Sequence, residues 1–110
     1  MFKQLFSGIF SSTDSLPITE LAKALKEESV VLLDVREVEE FSNGHVPQAI
    51  NHPLSELDQF TGDKSKQYLV ICQSGMRSKR ACSYLKEQGL QATNVQGGMN
   101  AWNGPIKGGK

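Results

Sequence analysis

The segment Val70-Ile71-Cys72-Gln73-Ser74-Gly75-Met76-Arg77-Ser78 sets a cysteine between an apolar run and the start of a helical pattern. That is where a thiol gains most as a nucleophile. A free thiol ionises near ~8.5, which leaves about 3% as thiolate at pH 7. A fall of ~2 units, about 2.7 kcal/mol, makes most of it thiolate. A helix N-terminus and backbone N–H groups curled around the sulfur supply a shift of that order, and Gly75 lets the loop curl with no Cβ in the way.

The helical pattern after the loop opens with Arg77, Lys79 and Arg80 and has no acid before Glu87. A first turn ordinarily favours Asp or Glu, so here positive charge is added to a positive helix end. This is the pattern of an anion site. Arg77, nearest the sulfur, is the expected contact for an anionic ligand, with Lys79 and Arg80 steering from farther off. Ser78 either caps the helix or donates to the sulfur, and the pattern leaves both open. A second apolar run, Val30-Val31-Leu32-Leu33, ends at Asp34, so Asp34 and Cys72 should stand at strand carboxyl ends on one rim. Asp34 and Arg36 are expected there in a supporting role, pinning loops by hydrogen bonds or an ion pair.

The elements around this rim alternate. Phe2, Leu5, Phe6, Ile9 and Phe10 fall on one helical stripe, which predicts an amphipathic helix over Met1–Phe10. It is expected to pack on the domain; a second copy or a membrane surface are the other candidates. Ser11 to Ser15 reads as a loop. Thr19 is expected to cap a helix through Leu21, Ala22 and Leu25. Glu37 to Phe41 reads as a short helix with Gly44 in the left-handed conformation of a C-terminal cap, and Ala49-Ile50-Asn51 as a brief strand. The spacing of Leu54, Leu57 and Phe60 predicts a helix, and Tyr68-Leu69-Val70-Ile71 the strand that delivers Cys72. Ala81, Cys82 and Leu85 mark the inner face of a helix ending at Gly89, Thr93 to Gln96 a last strand, and Met99 to Trp102 a terminal helix. Residues 104–110 read as a loose tail. Strands alternating with helices on short connections predict a mostly parallel sheet with helices on both faces, with ligands beyond the strands' carboxyl ends.

Composition bounds what such a domain does. The chain has 110 residues, enough for one core. Twelve Lys plus Arg against twelve Asp plus Glu leave no global basic field for nucleic acid. No apolar run reaches the ~20 residues of a membrane-spanning helix. Two cysteines ten positions apart suit a reducing cytoplasm and form neither a disulfide scaffold nor a C-x-x-C pair. His45 and His52 lack partners at zinc-like spacing and read as loop histidines, so no metal is expected. Cys82 reads as a buried structural cysteine, Gly97-Gly98 as a tight turn, and Trp102 as core or the lip of a cleft.

Three pieces in order carry a family resemblance: Leu33-Asp34-Val35-Arg36-Glu37 with Glu40-Phe41, Gly44-His45-Val46-Pro47 and Ala49-Ile50-Asn51; the Cys72–Ser78 loop; and Val95-Gln96-Gly97-Gly98 leading to Ala101-Trp102. The chain resembles single-domain rhodaneses over roughly residues 17 to 103, leaving residues 1–16 as a helix and loop outside it. The resemblance implies a five-stranded parallel sheet with helices on both faces and a thiosulfate sulfurtransferase. It implies that Cys72 takes sulfur from a small anionic donor such as thiosulfate, carries it as a persulfide, and yields it to cyanide, a thiol or a protein acceptor. The backbone of Gln73, Ser74, Gly75, Met76, Arg77 and Ser78 would hold the terminal sulfur. No cofactor is implied beyond that covalent intermediate. Two other readings stand beside it: a non-enzymatic rhodanese-like module that binds partners or relays sulfur, and a cysteine-dependent phosphatase or arsenate reductase. The second needs C-x5-R, whereas this chain has one residue fewer between Cys72 and Arg77 and no Asp beside the loop as a proton donor.

Overall fold

Among residues 15–109, which the computed structural model describes, five strands form one sheet. They are β1 (Ser15–Leu16), β2 (Val30–Asp34), β3 (Ile50–Asn51), β4 (Gln67–Ile71) and β5 (Gln91–Val95), in the order β1-β5-β4-β2-β3. Every pairing is parallel. The helices are α1 (Leu21–Ala24), α2 (Val38–Asn43), α3 (Met76–Glu87) and α4 (Gly98–Ala101). None of them is long and apolar enough to cross a membrane.

Burial on both faces explains the unbroken apolar runs of β2 and β4. Leu32, Leu69 and Ile71 pack with Leu16, Leu21, Val46 and Val95 on one side of the sheet. Leu33, Tyr68 and Val70 pack with Leu57, Ala81 and Leu85 on the other. The alternation that sends Tyr68 and Val70 toward α3 continues to Cys72, which belongs to the same cluster. Asp34 is level with Ile71 in the β2–β4 register, and the Val35 amide donates to the Ile71 carbonyl at 3.0 Å. Val35 and Cys72 therefore leave the sheet side by side, which brings Arg36 level with Gln73.

Several elements differ from their expected form. Ser15–Leu16 is not loop but an edge strand, paired with Asn94 and Val95, so the sheet reaches back to residue 15. Two residues are too few for any periodic signal, and only the full burial of Leu16 reveals their place. The Met1–Phe10 helix lies outside the described residues. Thr19 caps nothing: it sits inside a 3-10 turn, Ile18–Glu20, that runs into α1. Leu54–Gln59 is likewise a 3-10 segment rather than an α-helix, as a strict three-residue apolar spacing fits. Gly44 does end α2 with a positive φ, but at 154° with ψ 126° it is extended rather than left-handed helical.

The expected loose tail is tied down. His45 and Lys107 exchange backbone hydrogen bonds at 2.9 and 2.8 Å, the Gly109 amide donates to Ser42 O, and the Trp102 indole donates to Pro105 O. Main-chain pairing of this kind leaves no trace in a Gly, Pro and Lys composition.

Candidate active site

Helix α3 begins without a side-chain cap on Gly75, the residue before it. Its first amides need acceptors. The Cys72 sulfur is that acceptor: the Gly75 amide donates to Sγ at 3.0 Å and the Ser78 amide at 3.3 Å. Gly75 stands at φ 105°, a conformation open to glycine, and this bends the chain back over the sulfur. The other side of the loop is anchored by α4, whose Met99 and Asn100 amides donate to the carbonyls of Cys72 and Gln73 at 2.9 and 3.0 Å. A Cβ on Gly98 would lie 2.3 Å from the Cys72 carbonyl oxygen, so only glycine admits that approach. Carbonyls thus face α4, and two of the loop's amides face the sulfur.

Cys72 has no exposed surface. Burial alone pushes its thiol up. The Ser78 hydroxyl and the backbone amides of Ser78, Gly75 and Ser74 together outweigh that, and the thiol lies below its ordinary value. The thiol donates to Ser78 Oγ at 3.4 Å, and Ser78 Oγ in turn donates to the side-chain oxygen of Asn94. Ser78 is therefore both a sulfur partner, through hydroxyl and amide, and a first-turn residue of α3.

Asp34 and Arg36 form a fully buried pair behind the loop. Arg36 Nε donates to Asp34 Oδ1 at 3.0 Å and Nη2 to Oδ2 at 2.8 Å, and the Arg36 amide donates to Oδ1. Its remaining donors reach Gly44 O at 2.9 Å and Gln73 Oε1 at 3.2 Å. Gln73 Nε2 then donates to Asn100 Oδ1 at 2.7 Å, so one chain of bonds runs from β2 across the loop to α4. Beside it opens a cleft of about 400 Å³ lined by Arg36, Glu40, Gly44, Gln73, Met99 and Trp102. Trp102 is thus both lip and core, since it also packs against the cluster on the β1 side of the sheet. Ser74 and Met76 are the loop's exposed residues, Met76 at 75%.

Arg77 is at the rim, but its guanidinium is not turned to the sulfur. It forms a bidentate ion pair with Glu40 of α2, at 2.6 and 2.9 Å. Glu40 was absent from the expected site. It is held in place because it also closes a capping box on α2, accepting from the Glu37 amide. Asn94 was missed as well, although a polar residue inside a strand buried on both faces is a signal that a partner waits there. His45 is a satisfied loop histidine, with Nδ1 2.7 Å from Phe41 O and its ring stacked on Phe41. Cys82 is buried on the inner face of α3.

The hydrogen bonds from Arg77 hold the Glu40 carboxyl at about 2, well below its reference of 4.5. A depressed carboxyl contributes stability that is complete above the reference value and disappears as pH falls through about 2. Both side chains are about a third exposed, at 35% and 36%, so solvent screening limits the pair to less than about 1 kcal/mol. Glu40→Gln keeps the capping box. Its urea midpoint is expected slightly below the parent's at neutral pH and to converge on it below pH ~2. An equal gap at both pH values would remove Glu40 ionisation from the cause.

A parallel sheet that delivers a buried thiol into a curled loop of amides defines a class of small α/β domains, and this chain belongs to the rhodanese-like domain family, whose model matches residues 17–105. It is 47% identical over 91 residues to YtwF of Bacillus subtilis, a protein named "Putative sulfurtransferase"; the match covers 76% of this chain and 88% of that one. The thiosulfate sulfurtransferase GlpE of Shewanella oneidensis is 33% identical over 96 residues, covering 84% and 95%. Among solved structures, a rhodanese-related protein from Thermoplasma volcanium superposes with a TM-score of 0.78 at 34% identity, covering 84% of this chain and 96% of that one. The five-stranded α/β architecture expected from the resemblance is the one observed.

Proposed function

We propose that this chain is a sulfurtransferase that carries sulfane sulfur on Cys72, taking it from a donor such as thiosulfate and passing it to cyanide, a low-molecular-weight thiol or a protein thiol. The observation that carries this reading is the convergence of the Gly75 and Ser78 amides on one sulfur atom. In the first step the Cys72 thiolate attacks the outer sulfur of thiosulfate. A new S–S bond forms, the old one breaks, and sulfite leaves with its electron pair. In the second, the acceptor's nucleophilic atom bonds to the terminal sulfur and Cys72 departs as thiolate. The Gly75 and Ser78 amides stabilise the Cys72 sulfur as the attacking thiolate of the first step and as the departing thiolate of the second, so little reorganisation accompanies either step.

The spacing of Cys72 and Arg77, one residue short of C-x5-R, and the lack of an Asp beside the loop argue against phosphate chemistry. The free thiol on Cys72 suits the reducing cytoplasm, where we place the protein. Because Cys72 is enclosed, a donor must part the loop or enter from the cleft beside Gln73. This favours small or extended donors.

Steady-state kinetics with thiosulfate and cyanide test the reading. Parallel-line ping-pong patterns, with sulfite released before cyanide reacts, are expected. A protein that neither forms a persulfide nor releases sulfite from thiosulfate would instead be a binding module.

A further inference from the structure

Ser78 Oγ is fully buried and has one proton to give. With Cys72 as a thiol, the bonds run in one direction: sulfur to Ser78, Ser78 to the Asn94 carbonyl oxygen. Ionisation reverses the demand, because a thiolate only accepts. A Ser78 oxygen lone pair facing it repels, so the hydroxyl must turn its proton to the sulfur. Its oxygen then needs a donor in place of the acceptor it has lost.

Asn94 is the residue that can supply both. Its side chain carries an oxygen and an NH2 group on one carbon, exchanged by a half-turn of the amide. Room for the turn exists, since Asn94 is 8% exposed and lines a cavity of about 240 Å³ between β5 and α3, with Ser15, Lys79, Ser83, Lys86 and Gln96 around it. The amide nitrogen already lies on the loop side, 3.9 Å from where a Cβ on Gly75 would stand.

We propose that Asn94 is a positioning residue whose side-chain amide reverses with the charge on the Cys72 sulfur, directing the Ser78 proton to that sulfur in the thiolate state. The use of that thiolate as the attacking nucleophile rests on the sulfurtransferase reading.

Nuclear magnetic resonance of the full chain tests it without altering Asn94. The two amide protons of the Asn94 side chain are expected to shift with pH through the midpoint at which the Cys72 thiolate absorbs, and to stay still in Cys72→Ala. A double-mutant cycle gives the second readout. Asn94→Asp keeps the shape and the acceptor but, as a carboxylate, has no donor; Lys79 and Lys86 line the same cavity. Its charge raises the Cys72 midpoint in any background, so the diagnostic quantity is the difference between backgrounds. The rise is expected to be larger with Ser78 present than in Ser78→Ala by about one pH unit, a tenfold change in thiolate population. Asn94 protons indifferent to Cys72 ionisation, or equal rises in both backgrounds, would overturn the proposal. Both readouts report on the thiolate, so a failure to transfer sulfur leaves them intact.

Discussion

Cys72→Ser is expected to lower sulfur transfer by on the order of 10³-fold or more while leaving the fold intact, as removal of a nucleophile does elsewhere. The two halves of this result have separate causes. A serine hydroxyl is essentially never ionised at neutral pH and forms no persulfide, so the first step has no attacking atom. The structural role survives, because an oxygen can still accept from the Gly75 and Ser78 amides that now end on sulfur. The side chain is slightly smaller and stays hydrogen-bonded, so the urea midpoint should move by less than about 1 kcal/mol equivalent. Turnover retained in this variant would remove Cys72 from the mechanism.

Arg36→Ala is expected to have the largest effect on stability. Asp34 is fully buried and its carboxylate receives three hydrogen-bonding groups from Arg36, two of them from the guanidinium. Removing that guanidinium leaves a buried charge without its counter-ion, at a cost of about 3–5 kcal/mol. It also strips donors from Gly44 O and Gln73 Oε1, the second of which lies in the Cys72–Ser78 loop. Urea denaturation should show the loss, and activity should fall in the surviving folded fraction because Gln73 loses one of its two side-chain anchors. Replacing Asp34 and Arg36 together by apolar residues should be milder than the sum of the single changes, since no unpaired charge is left. Additive losses would show that the pair acts as two separate residues.

The contrast between these two positions shows what the sequence made legible. Cys72 could be read because its surroundings are local: a strand buried on both faces, a glycine and a helix start lie within a few residues. The central strands were legible for the same reason, as continuous apolar runs of four residues. Asp34 and Arg36 could be assigned to the rim by register, although not to one another in detail. The ion pair of Arg77 was not legible, because its partner Glu40 lies 37 positions upstream on another helix. Asn94 was hidden likewise, 16 residues from the hydroxyl it holds. β1 and the paired tail left no pattern because both are made by backbone hydrogen bonds, to which side-chain identity is nearly indifferent.

The central physical claim is that a sulfur atom serving as the first acceptor of a helix N-terminus is thereby made ready to hold a second sulfur. Intact-mass measurement of the protein after thiosulfate treatment addresses it most directly. A gain of one sulfur atom is expected on the wild-type chain, removed by cyanide and absent from Cys72→Ser. A wild-type mass that does not change, or a gain that persists without Cys72, would contradict it.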